Sequence, residues 1–196
     1  MRKHQFILLS IILLISQNNK AQGLDKLLNV QYKPGFAILN TGDTLTGAFE
    51  FNDCEQNYRI LVFIDPRNSK KAAYEPQQVK YFMLDSLTYM PKELKDGWGF
   101  VRLLLYDNLK VYLHKKFITS NIANGIENQI ILEKPNGKFI LVTLDRFYPF
   151  KTKVGDFFSD DPDLYEKINK GIYKNDIKDI FKISNEYNNW LRMSNR

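Results

Sequence analysis

The chain holds one cysteine, Cys54, and two histidines, His4 and His114, among 196 residues. One cysteine excludes an intrachain disulfide, so stability has to come from packing. A lone thiol most often serves as a small, partly buried apolar side chain. So few cysteines and histidines also exclude a structural zinc site, which takes four such ligands. No apolar run reaches the roughly 20 residues of a membrane-spanning helix. No glycine loop is placed to cradle a phosphate ahead of a helix, and no serine stands in a Gly-flanked strand-to-helix elbow. Repeats, low-complexity tracts and long runs of one charge are missing too, so nothing marks an internal domain boundary.

What is present starts with Arg2, Lys3 and His4, an apolar run from Phe6 to Ile15 broken only by Ser10, and then polar Ser16 to Asn19. That charged, apolar, polar order reads as a secretory signal peptide over residues 1–21, cleaved after Ala21. Export to the periplasm or beyond is the expected localisation, with residues 22–196 as one mature domain and no transmembrane span once the signal is removed. Losing Arg2, Lys3 and Lys20 takes the 28 basic residues to 25 against an unchanged 22 acidic ones, and the formal charge from +6 to +3. Interspersed charge of that size gives no nucleic-acid footprint. An envelope protein or a glycan is the expected partner. Oligomeric state is left open.

From Gly35 to about Asp145, short runs rich in β-branched and aromatic residues alternate with turn chemistry. Thr41, Gly42 and Asp43 join two extended runs as a hairpin, because Gly reaches positive φ freely and Asp bonds back to nearby backbone. Further strands are expected at Arg59 to Ile64, Val79 to Leu84, Ser86 to Met90, Phe100 to Tyr106, Lys110 to Lys116, Gln129 to Glu133 and Lys138 to Leu144. The period then changes. Leu164, Tyr165, Ile168 and Ile172 follow an acidic cap, and Ile177, Ile180, Phe181, Ser184, Tyr187 and Leu191 form a longer helical stripe. Phe147 to Phe158 is a candidate third helix. The fold class is α+β: an antiparallel β meander, barrel-like or a sandwich, followed by two or three C-terminal helices over about residues 148–193. An outer-membrane barrel fits less well, because it needs about ten alternating residues per strand and no helical tail.

The order glycine, apolar strand, Gly42, Asp43, Thr44 and Gly47, with Tyr74, Glu75, Pro76, an Asp161, Pro162 helix start and a final Tyr187, Asn188, Asn189, Trp190, resembles a group of uncharacterised exported proteins of Bacteroidota-type Gram-negative bacteria. The resemblance implies export and a similar domain over nearly all of the mature chain, and it implies no activity. Members of that group carry cysteines near the acidic helix start and after the final Tyr-Asn pair. Pro162 and Trp190 stand in those regions here, so a shared disulfide is not available.

Candidate sites follow from residue type. Trp98, Tyr89, Tyr106 and Tyr112 lie on neighbouring strands, where an exposed aromatic row stacks on sugar rings or grips a partner; core filling is the competing role. Asp156, Asp160, Asp161 and Asp163 supply enough oxygens to begin a calcium shell, although acids before a helix are also what capping and the helix dipole require. His114 is the one histidine left after export, with an ordinary half-exposed strand position weighed against a general base or a pair with Cys54. No catalytic residue and no cofactor is assigned. The expected function is a non-catalytic binding or structural module of the envelope. The alternatives are an envelope hydrolase using carboxylates such as Asp43, Glu75 or Glu93, or a small-molecule carrier with an open barrel cup.

Overall fold

A computed structural model describes residues 31–51, 56–119 and 124–194. The expected signal peptide and Cys54 lie outside the described residues. Among the described residues the strands are β1 (Gln31–Leu39), β2 (Thr44–Phe51), β3 (Leu61–Ile64), β4 (Lys71–Tyr74), β5 (Val79–Leu84), β6 (Leu87–Leu94), β7 (Gly97–Leu105), β8 (Lys110–Thr119), β9 (Asn124–Glu133) and β10 (Phe139–Thr143). A single-turn helix α1 (Gln56–Arg59) precedes β3, and α2 (Phe150–Phe157), α3 (Pro162–Asn169) and α4 (Ile177–Ser194) follow the sheet.

All the strands join one antiparallel sheet in the order β10-β9-β8-β7-β6-β5-β1-β2-β3-β4. The expected α+β meander with C-terminal helices is therefore what the chain forms, as a single sheet with two ends. The succession breaks once. A 3-10 turn at Pro76–Gln78 leads from β4 into β5, and β5 pairs with β1 instead of β4, with Ala37 opposite Phe82.

Two differences from the sequence pattern have local causes. β4 went unanticipated because Lys71, Ala72, Ala73 and Tyr74 include two weak strand formers; pairing with β3, from Leu61 opposite Tyr74 to Ile64 opposite Lys71, supplies the ladder. β6 runs on through Pro91, where a strand end is expected. The β5 pairing stops at Tyr89, while the β7 pairing continues to Leu94, so the missing N–H of Pro91 leaves no gap on the β5 side.

Direct cross-strand partners share a face. Tyr89, Arg102, Leu113, Ile130 and Val142 pair in succession and line one face. That face carries two apolar clusters. One gathers Ala37, Phe49, Phe63, Phe82, Tyr89 and Phe100 from the β1–β7 half. In the other, Val111, Ile130, Leu132 and Val142 pack under Phe150, Val154, Leu164, Ile168, Ile180, Ile183 and Tyr187 of the helices. Arg102 stands between them in the register, with its buried Nε lacking a hydrogen-bond partner. On the opposite face Met90, Val101, Leu103, Tyr112, Ile131 and Leu141 form a smaller third cluster. Lys92 lies across it, over the Tyr112 and Phe139 rings and 3.0 Å from Glu133 Oε2.

The helices start and stop on local chemistry. Asp161 Oδ1 accepts the Leu164 N–H at 3.1 Å, Pro162 fills the first turn, and Gly171 at φ +77° closes α3, its N–H bonded to the Ile168 carbonyl at 2.9 Å. Asp176 Oδ1 accepts the Asp179 N–H at the start of α4. Their buried residues recur at three and four, Leu164 and Ile168, then Ile180, Ile183, Ser184 and Tyr187. Ile177, anticipated on the inner stripe, is instead exposed, and Ile183 takes the inner position.

Polar contacts fix this helical layer on the sheet. Asn175 Nδ2 donates to the carbonyls of Thr143 and Asp145, Tyr148 Oη donates to the Leu141 carbonyl, and Asn188 Oδ1 accepts the Leu109 N–H at 2.7 Å. Arg192 pairs with Asp107. Centrally, Lys134 from the end of β9 places Nζ 4.8, 5.0 and 5.6 Å from the ring centroids of Phe157, Tyr187 and Phe158, and 2.6 Å from Asp160 Oδ1. Tyr187 Oη donates to the other Asp160 oxygen at 2.6 Å. A lysine that would be costly to bury alone is thus held by a carboxylate and three ring faces.

Candidate functional site

The feature that gathers charged and aromatic side chains in a concavity lies where α1 meets the ends of β6, β7 and β8. Two glycines shape it. A Cβ at Gly99 would stand 3.1 Å from the Tyr58 carbonyl oxygen, so any larger residue would make α1 give way by a few tenths of an ångström. Gly97 has φ of +106°, a backbone conformation that turns β6 into β7 and that other L-residues rarely adopt.

Register places the floor. Leu94 pairs with Gly97 and Lys92 with Gly99, while Leu103 pairs with Tyr112, two residues before His114. Gly97 and Gly99 therefore share one face of β7, and His114 and Lys116 share one face of β8. With Tyr58, Arg59, Leu94 and Asp96 they border an open cleft that has about 40 Å³ of space for water-sized groups. That space holds a few waters or one small polar group of a larger ligand. Trp98 and Lys115 also border the cleft.

Its polar groups are held by one another. Lys116 Nζ lies 3.4 Å from Asp96 Oδ2, and Arg59 Nη1 donates to the Asp96 carbonyl at 3.4 Å. Burial of Asp96 opposes its ionisation, but its own backbone N–H and Lys116 outweigh this, and its carboxyl sits below the ordinary range. His114 is buried, with its ring edge-on to Tyr58 at 6.3 Å between centroids. His114 Nδ1 is 3.3 Å from Gln129 Oε1, and Gln129 Nε2 donates to Glu127. An amide oxygen only accepts, so the neutral ring carries its proton on Nδ1 and leaves the Nε2 lone pair available.

Burial pushes the His114 pKa below its ordinary 6.5, with Arg59 and Lys116 acting in the same direction and Gln129 and Asp96 opposing them. The unfolded chain then binds a proton at this ring more readily than the folded one. Stability from His114 is accordingly full above about pH 6.5 and falls as acid carries the solution toward the lower folded pKa. Denaturant melts at about pH 7.5 and 5.5 should show wild type losing more stability than His114→Gln over that interval. Equal losses in the two proteins would contradict a desolvated neutral imidazole.

The aromatic row anticipated from the sequence does not form. Trp98 and Tyr106 are exposed, at 37% and 71%, but Tyr89 and Tyr112 are each 3% exposed. Tyr89 stacks on Phe82 in one cluster, and Tyr112 belongs to the cluster on the opposite face. Both were drawn into cores because they face inward at central strand positions, where burying a ring is favourable.

The aspartates are distributed among different tasks. Asp156 is exposed on α2, Asp160 binds Lys134 and Tyr187, Asp161 caps α3 and Asp163 is exposed in its first turn. Among the described residues no group of three or more His, Cys, Asp or Glu comes together to hold a metal ion. Of the acids weighed for hydrolysis, Asp43 accepts from the Thr41 hydroxyl in the β1–β2 turn, Glu75 opens the 3-10 turn and Glu93 pairs across from Trp98.

No family model, curated protein or solved structure matches this chain. Function therefore has to be read from the site itself. Arg59, Asp96 and Lys116 escaped the sequence reading because they are far apart along the chain, on α1, the β6–β7 turn and β8, and meet only in the folded domain. The pair Gly97 and Gly99 was visible, and its role as the seat of α1 was not. Among the described residues no helix is long and apolar enough to cross a membrane, which says nothing about spanning by strands.

Proposed function

We propose that the chain is an exported, non-catalytic binding module of the cell envelope, related to the exported group it resembles, and that it engages its ligand at the α1 cleft. The observation that carries this reading is the cleft itself: Arg59, Asp96, His114 and Lys116 gather beside α1, with one ion pair and hydrogen bonds orienting them before any ligand arrives. Preorganised polar groups in a small concavity lower the cost of ordering on binding. The leader at residues 1–21 supports the envelope as the place of action.

Two experiments test the reading together. Cell fractionation with mass measurement should find the protein outside the cytoplasm and starting at Gln22; an intact chain in the cytosol would overturn export. Envelope glycans and peptides that raise the melting temperature of the purified protein should lose that effect in Gly99→Val, whose side chain would push back the α1 wall of the cleft, and should be recovered unchanged in mass. A fragmented ligand would establish a hydrolase instead.

A further inference from the structure

Resting on the cleft as the binding site, we infer that its ligand carries a small oxyanion, a carboxylate, phosphate or sulfate group, which enters beside Arg59 and Lys116. The sign of the charge points there. Three cationic residues, Arg59, Lys115 and Lys116, border this space with one acid, Asp96. The contact of Arg59 is to a backbone carbonyl at 3.4 Å, which leaves its other guanidinium donors without a carboxylate partner among the described contacts of that side chain. A guanidinium presents a planar fork suited to two oxygens at once.

Shape agrees with charge. α1 covers the two glycines, with the Tyr58 carbonyl oxygen against Gly99 and the Arg59 guanidinium against Gly97, and the space of about 40 Å³ left there takes an acid group and little more. The Asp96 carboxylate holds Lys116 from one side at 3.4 Å, a loose pair on the exposed rim that a second acid can share. His114 borders the same space as a polar ring, which suits a ligand that also carries a hydroxyl, such as an acidic sugar, more than a bare ion.

Trp98 borders the cleft and Trp190 lies in the helical layer, so Trp190→Phe leaves one fluorescent reporter next to the site. The protein bearing that substitution is titrated with sodium glucuronate, with glucose 6-phosphate, with inorganic phosphate and with glucose. Both acidic sugars should change Trp98 emission saturably, at concentrations at least tenfold lower than glucose requires, and half-saturation should rise with added salt. Adding Arg59→Gln should weaken their binding roughly tenfold, and Lys116→Gln should weaken it severalfold, with melting temperatures of both variants held. Phosphate binding as well as glucose 6-phosphate would keep the oxyanion and remove the sugar ring from recognition. Equal responses to glucose and the acids, unaffected by Arg59→Gln, would overturn the oxyanion while leaving a binding cleft. No response to any acid would overturn the inference, and the ligand-induced stabilisation lost in Gly99→Val would then still decide whether the cleft binds at all.

Discussion

Tyr187→Ala is expected to lower the stability of the domain by about 4 kcal/mol, on the order of 10 °C in melting temperature. Tyr187 is 1% exposed, with its ring 4.8 Å from Phe158 and stacked at 5.4 Å on Trp190. Truncation removes that packing and leaves a cavity between α4 and α2. It also strips Asp160 of a 2.6 Å hydrogen bond and Lys134 of one of its three ring faces. Burial, and then the Asp160 carboxylate, raise the Tyr187 phenol above its ordinary pKa, so the hydroxyl stays protonated and donating throughout the neutral range. Tyr187→Phe separates the contributions. It keeps the ring and should cost only about 1 kcal/mol. A loss under 1 kcal/mol for Tyr187→Ala, measured by denaturant melts, would show that the helical layer is not packed on β8–β10 as described.

The second large effect is expected at Phe82. Its ring stacks on Tyr89 at 4.7 Å and meets Phe100 edge-on at 4.9 Å, and it is 1% exposed at the centre of the other cluster. Phe82→Ala should cost about 3 to 5 kcal/mol. The two sites lie in different clusters with no shared partner, so their costs should add within about 0.5 kcal/mol. Both clusters nevertheless stand on one face of one continuous sheet, joined through β7. Each variant should therefore unfold in a single transition, seen at the same midpoint by far-UV and near-UV circular dichroism. Two separated transitions would show that the β1–β7 half and the helical layer fold as independent units.

These two clusters also show why some of the fold was legible in the sequence and some was not. Alternation in Val111 and Leu113 against Tyr112 and His114 is local, so the strands, the hairpins and the change to helical spacing after Asp160 could be read directly. Which cluster a residue joins depends on partners distant in the chain. Tyr89 and Tyr112 satisfy the pattern of an exposed aromatic strand equally well, and only the pairings to Phe82 and Leu103 bury them, on opposite faces. β4 lacked strand-forming residues, and pairing with β3 imposed its conformation. Asp160 illustrates the same limit for the site. Its spacing from Asp161 and Asp163 suited a metal shell or a cap, whereas its partner is Lys134, 26 residues away in sequence. The cleft was the least legible, since Arg59, Asp96 and Lys116 carry no motif and meet only where α1, the β6–β7 turn and β8 come together beside the two glycines that admit α1.

The most direct measurement is amide NMR of the folded protein during titration with glucuronate. Shift changes should concentrate at Gly97, Gly99, Lys115 and Lys116, with the Arg59 side-chain Nε–H moving in parallel, while the α2–α4 amides stay still. Shift changes centred on the helical layer or on the β4 edge, with the Gly97 and Gly99 amides unmoved, would contradict a binding cleft beneath α1.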